Sequence, residues 1–102
     1  MALLLVWCAP AWAQSDAEKQ LAKKHYELGE QFYKISNYPR ALVEFSSAYK
    51  LYPLPGLLFN IARCHEVMAN LDKALEYYHL FLKRVPRTPK RSLVELRIKT
   101  LK

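Results

Sequence analysis

Apolar positions return along this chain at three- and four-residue steps, and polar or helix-breaking residues separate the runs. Leu21, His25, Leu28, Phe32 and Ile35 form the first stripe, the signature of an amphipathic helix. Ser15-Asp16-Ala17-Glu18 ahead of it reads as a capping box and predicts the helix start. Ser36-Asn37 breaks the stripe, and Pro39 stands where a first helical turn tolerates proline. A second stripe follows in Leu42, Phe45, Ala48 and Tyr49, closed by Pro53 and Pro55. The run LLFNIARCHEVMA predicts a third helix with Leu58, Ile61, His65 and Met68 in line, and Asn70 marks the next turn. A fourth helix is expected from Asp72 to Val85, carrying Leu75, Tyr78, Phe81 and Leu82. Thr88 can cap a fifth, with Pro89 at its first position. Its apolar residues, Leu93, Val94, Leu96, Ile98 and Leu101, fall on more than one side. No alternating strand pattern competes, so the expected fold is all-α, with about five helices.

The stripes also repeat. Gly29 and Ala62, Ala41 and Ala74, Phe45 and Tyr78, Ala48 and Phe81, and Pro53 and Pro86 each stand 33 residues apart. A constant offset between residues of matched size or role marks a repeat architecture. Small residues at Gly29 and Ala41 let paired helices approach, large ones at Phe45 and Tyr78 fill the space between them, and the prolines stop each second helix.

These residues resemble the tetratricopeptide repeat (TPR) family. Residues 25–53 carry Leu28-Gly29, Phe32, Tyr38, Ala41, Phe45, Ala48 and Pro53 at the places of the family pattern, with His25 where tryptophan is usual. Residues 58–86 carry Ile61-Ala62, Leu71, Ala74, Tyr78 and Pro86. There Ala62 replaces the usual glycine, His65 the usual tyrosine and Phe81 the usual alanine. The resemblance implies antiparallel helix-turn-helix pairs stacked as a short right-handed α-solenoid. It divides residues 17–102 into a first repeat at about 22–54, a second at about 55–88 and a closing helix at about 89–101. Such arrays are stable alone from about three units. Modest stability, a partner or a longer natural chain is therefore expected, and apolar residues on two sides of helix five point to something packing beyond it.

The first 13 residues differ from the rest. MALLLVWCAPAWA is apolar, ends in an A-x-A pattern and is shorter than the roughly 20 residues a spanning helix needs. It reads as a secretory signal peptide cleaved after Ala13, although no Lys or Arg precedes it. A lipoprotein-like site at Cys8 and a disordered apolar terminus remain alternatives. Taken with the repeats, the segment predicts an exported protein of the bacterial periplasm or cell envelope. After cleavage Cys64 is the remaining cysteine, so no internal disulfide forms.

The chain of 102 residues is 52 % hydrophobic and 25 % charged, which suits one small globular domain. The candidate chemistry is the pair Cys64-His65. Neighbours on a helix point about 100° apart, and the places three and four residues away hold no further metal ligand, so neither a metal site nor a cysteine–base pair assembles locally. The two are expected as core filling, with His25 and His65 each in an aromatic place of the repeat. No glycine-rich phosphate loop is present. A non-catalytic chain without metal or cofactor is expected, and a thiol enzyme would require a reactive Cys64.

By the resemblance, the concave groove formed by each repeat's first helix binds the partner. Tyr26, Glu30, Tyr33 and Lys34 should face it from the first repeat, Phe59, Asn60, Arg63 and Glu66 from the second, and Lys90 from the start of helix five. Tyr26 and Glu30 stand where the family's carboxylate clamp would hold lysine and asparagine. Of that clamp's residues in these two repeats, only Asn60 matches. The expected partner is a protein or peptide.

Charge offers an alternative. Residues 1–82 are balanced, and the net +7 comes from Lys83, Arg84, Arg87, Lys90, Arg91, Arg97, Lys99 and Lys102 against Glu95. A basic end can draw acidic partners or an anionic membrane surface. Nucleic acid is not expected, because no aromatic residue interleaves the run for base stacking.

Overall fold

The computed structural model describes residues 11–102. Five helices follow one another: α1 (Ala11–Lys34), α2 (Tyr38–Leu51), α3 (Gly56–Val67), α4 (Leu71–Arg84) and α5 (Arg91–Leu101). Each packs against its neighbour in sequence. Antiparallel hairpins α1/α2 and α3/α4 therefore stack, with α5 on the far side of α4. The described residues contain no strand, so the fold is all-α. The stack measures 67 × 30 × 20 Å, elongated as expected where each unit touches only its neighbours. No helix among the described residues is long and apolar enough to cross a membrane.

The 33-residue offset is written into the backbone. Asn37 N–H donates to the Phe32 carbonyl at 2.8 Å, and Asn70 N–H to the His65 carbonyl at 2.8 Å. Between them Ser36 and Ala69 take left-handed conformations, with φ of 62° and 61°. This C-terminal bonding pattern satisfies carbonyls that a helix end leaves unpaired. Asn37 and Asn70 then precede α2 and α4, each of 14 residues. The Asn37 side chain accepts from Arg40 N–H at 3.4 Å. Both second helices also end alike, through Tyr52 N–H to Ala48 O at 2.9 Å and Val85 N–H to Phe81 O at 2.8 Å.

Two apolar clusters form the core. Ala41, Phe45, Ala48 and Ile61 belong to one, Ala62, Ala74, Tyr78 and Phe81 to the other, and half-buried Tyr49 and Tyr77 pack against both. The large residues of the second helices thus fill the hairpins, and the alanines admit close approach, as the repeat predicts.

Three expectations need correction. α1 begins at Ala11 rather than after Ser15, so the Ser15–Glu18 box lies inside the helix and caps nothing. Nothing between Ala11 and Ser15 interrupts helical backbone, so the helix runs through them. The signal-peptide reading falls mostly on residues 1–10, outside the described residues, while Ala11-Trp12-Ala13 open α1. Secondly, the stripe of Leu21, Leu28 and Ile35 is exposed. The face that meets α2 is instead Ala22, Gly29 and half-buried Phe32 and Tyr33. Leu28 is 41 % exposed, whereas its equivalents Ile61 and Val94 are 2 % and 0 % exposed. Those two meet the hairpin before them, and α1 has no such neighbour among the described residues. Thirdly, α5 begins at Arg91, and the Thr88 hydroxyl accepts from Lys90 N–H at 3.2 Å, shaping the preceding turn instead of the helix end. Arg91 and Glu95 form an ion pair at 2.8 Å. They stand where α3 carries Leu58 and Ala62, which are buried in the second cluster. α5 therefore shows charge on the side where α3 is apolar, while Leu93 and Leu96 stay exposed beside the buried Val94 and Ile98, so its apolar residues fall on more than one side as expected.

Candidate functional site

The groove is built by side chains of α1, α3 and α5 over a floor contributed by α2 and α4. Two adjoining hollows occupy it. The first, of about 210 Å³, is lined by Glu30, Tyr33 and Lys34 of α1, Asn60 and Arg63 of α3, and the buried Phe45 of α2. The second, of about 470 Å³, lies between α3 and α5. Tyr33 and Arg63 border both hollows.

Arg63 is the centre of the arrangement. Its guanidinium lies 4.5 Å from the Tyr33 ring centroid and 5.6 Å from that of Phe59. The Lys90 ammonium lies 4.3 Å from the Phe59 centroid. A cation over a ring face is held by the ring quadrupole and keeps its charge. Packing orients the rings themselves. Tyr33 meets Tyr38 edge-on at 5.1 Å, and Phe59 packs at 6.1 Å on Tyr78 and 5.6 Å on Phe81.

The wall toward α5 is tied by Glu66. One carboxylate oxygen accepts from the Tyr78 hydroxyl at 2.8 Å, and the other from Arg97 Nη1 at 3.0 Å. Burial, and then the bond to the Glu66 carboxylate, raise the Tyr78 hydroxyl above its ordinary pKa, so it stays a donor. Glu66 is thereby neutralised by Arg97, while no carboxylate lies within ion-pair distance of Arg63 or Lys90 among the described residues.

Of the nine residues expected in the groove, eight line a hollow. Glu30, Tyr33, Lys34, Asn60 and Arg63 line the first, and Phe59, Glu66 and Lys90 the second. Tyr26 lines neither and packs its ring 6.0 Å from Phe45. Partial burial, and then the neighbouring Glu30 carboxylate, raise its hydroxyl pKa. Sequence reasoning missed Phe45 and Tyr78, assigned wholly to the core, and Arg97, Leu93 and Val67. The signal for Arg97 was present as a basic residue of helix five, but its partner lies 31 residues earlier.

The remaining reactive side chains sit away from the groove. Cys64 is fully buried in the first cluster, and desolvation pushes its thiol up to about 11. The thiolate, the nucleophilic form, is correspondingly suppressed. His65 is buried and stacked on Tyr77 at 5.5 Å, and the Asn70 amide donates to its Nδ1 at 3.3 Å. His25 departs from its expected place in the core. It is half-buried, and its ring N–H donates to Glu44 at 2.6 Å across the first hairpin. Among the described residues no group of three or more His, Cys, Asp or Glu is placed to hold a metal ion. Comparison with protein-family models finds no match, and comparison with curated proteins finds none.

Proposed function

We propose that this chain is a non-catalytic interaction module of the tetratricopeptide-repeat kind, which binds an extended peptide or protein segment in its groove. The observation that carries the reading is Arg63 placed between Tyr33 and Phe59, at the junction of two hollows. Oriented aromatic rings and a guanidinium are the side chains that dominate binding energy at protein interfaces. The apolar leader-like start, taken with the repeats, is the ground for proposing export to the bacterial periplasm or envelope. The test is a pull-down and peptide-binding assay with Tyr33→Ala and Asn60→Ala. Capture should survive moderate salt and be weakened by both variants, and unchanged capture by both variants rejects the groove.

A second reading rests on the basic end. Lys83, Arg84, Arg87, Lys90, Arg91, Arg97, Lys99 and Lys102 are all exposed. Among the described residues only Arg91 and Arg97 of these have an ion-pair partner. As an electrostatic adaptor, the chain would adsorb to anionic vesicles. That adsorption would disappear as salt rises and fall with Arg87→Gln and Arg91→Gln, whereas Tyr33→Ala would leave it unchanged.

A further inference from the structure

From the second hollow we infer that the groove selects an acidic peptide, lodging a side-chain carboxylate between Arg63 and Lys90 with an aliphatic residue beside it. This rests on the groove reading above and adds the chemistry of the ligand. Arg63, Lys90 and Arg97 line this hollow against one carboxylate, Glu66. Arg97 already binds Glu66, and the other carboxylate oxygen is taken by Tyr78. Arg63 and Lys90 therefore keep their full charge, and both are drawn to the Phe59 ring, at 5.6 and 4.3 Å. A ring face orients a cation without neutralising it, so the pair is arranged in advance for an anion. Val67 and Leu93 border the same hollow and are half-exposed, which gives the neighbouring ligand residue an apolar seat. A basic ligand would meet Arg63 and Lys90 unscreened, and a wholly apolar one would desolvate them without return.

The test is a selection from a randomised peptide library, displayed without free C-termini, on the full chain. A selected peptide is then synthesised acetylated and amidated, so that side chains supply its only carboxylates, and binding is read by fluorescence anisotropy. Enrichment of Asp or Glu next to Leu, Ile, Val or Phe is expected. The Glu→Gln peptide should bind about tenfold more weakly. Arg63→Gln and Lys90→Gln should each weaken the acidic peptide while leaving the Gln peptide unchanged, and Arg87→Gln, outside the hollow, should change neither. Circular dichroism confirms that each variant is folded. Selection without acidic preference, or acidic peptides indifferent to Arg63→Gln and Lys90→Gln, overturns the inference. If Tyr33→Ala and Asn60→Ala still weaken binding in that case, the groove stands and only the acidic preference falls. If no peptide is enriched, or none responds to any groove variant, both fail.

Discussion

Gly29 faces the ring of Phe45 so closely that a Cβ built on it would lie 2.7 Å from Cε1 and 2.8 Å from Cδ1. On an exposed helix, Gly to Ala would stabilise by roughly 0.5–1 kcal/mol. Here Phe45 is only 2 % exposed, so its ring can give way only by displacing what it packs against. Gly29→Ala is therefore expected to destabilise by about 1–3 kcal/mol through overpacking. Urea unfolding measures this, and Phe45→Leu in the same chain should recover part of the loss. A neutral or stabilising Gly29→Ala would contradict the close contact of α1 and α2.

Glu66 joins three helices, and its removal should cost more than that of its ion-pair partner Arg97. Glu66→Ala leaves the mostly buried Tyr78 hydroxyl without its acceptor, for about 1–3 kcal/mol. Arg97→Ala breaks an ion pair whose arginine is half-exposed, for about 0–1 kcal/mol. Hydrogen exchange should show α5 opening faster in both variants, and thermal melting should rank them in that order. An Arg97→Ala loss equal to that of Glu66→Ala would mean that the Tyr78 bond contributes nothing.

Acid should weaken the second hairpin through His65. Its pKa is lowered by burial first and by Lys73 second, with Glu76 opposing. Unfolding restores the ordinary value near 6.5. Between the folded pKa and that value, the unfolded chain binds more protons than the folded one. The stabilising contribution of neutral His65 is thus whole above about pH 6.5 and is lost as pH falls through the lower folded pKa. Stability measured against pH should decline over that window in the wild type and less in His65→Gln. Parallel curves would remove His65 as the cause.

Ala69 and Ser36 hold left-handed backbone without being glycine. Glycine relieves the Cβ contact at such a helix end. Ala69→Gly should therefore raise stability by about 0.5–1 kcal/mol, with Ser36→Gly acting in the same direction. Denaturant midpoints test this, and a drop in both variants would show that the turns differ from those described.

Cys64 should react with a maleimide or iodoacetamide only as the chain opens. Its full burial and its thiol near 11 both oppose attack. Labelling in the folded state should be slow and should accelerate across the unfolding transition. Prompt native labelling would restore Cys64 as a candidate nucleophile.

The helices, their order and the 33-residue offset were legible in the chain, because each rests on local chemistry. Prolines stop α2 and α4 whatever surrounds them. The asparagines at 37 and 70 mark turns, and residue size at Phe45, Tyr78, Ala41 and Ala74 follows the period. The groove was legible in the same way, since residues on one helical face stay together wherever the helix goes. Eight of the nine expected residues line it for that reason.

Tertiary structure decided which apolar side of α1 is buried. Leu21 and Leu28 form as good a stripe as Ala22 and Gly29, but a glycine's missing Cβ lets Phe45 approach and turns α1 that way round. It also decided that Arg97 neutralises Glu66 while Arg63 and Lys90 keep their charge. Sequence spacing determines neighbours within a helix. Pairings across 31 residues exist only after the hairpins have stacked, because the angle and depth of that packing set which charges come within reach.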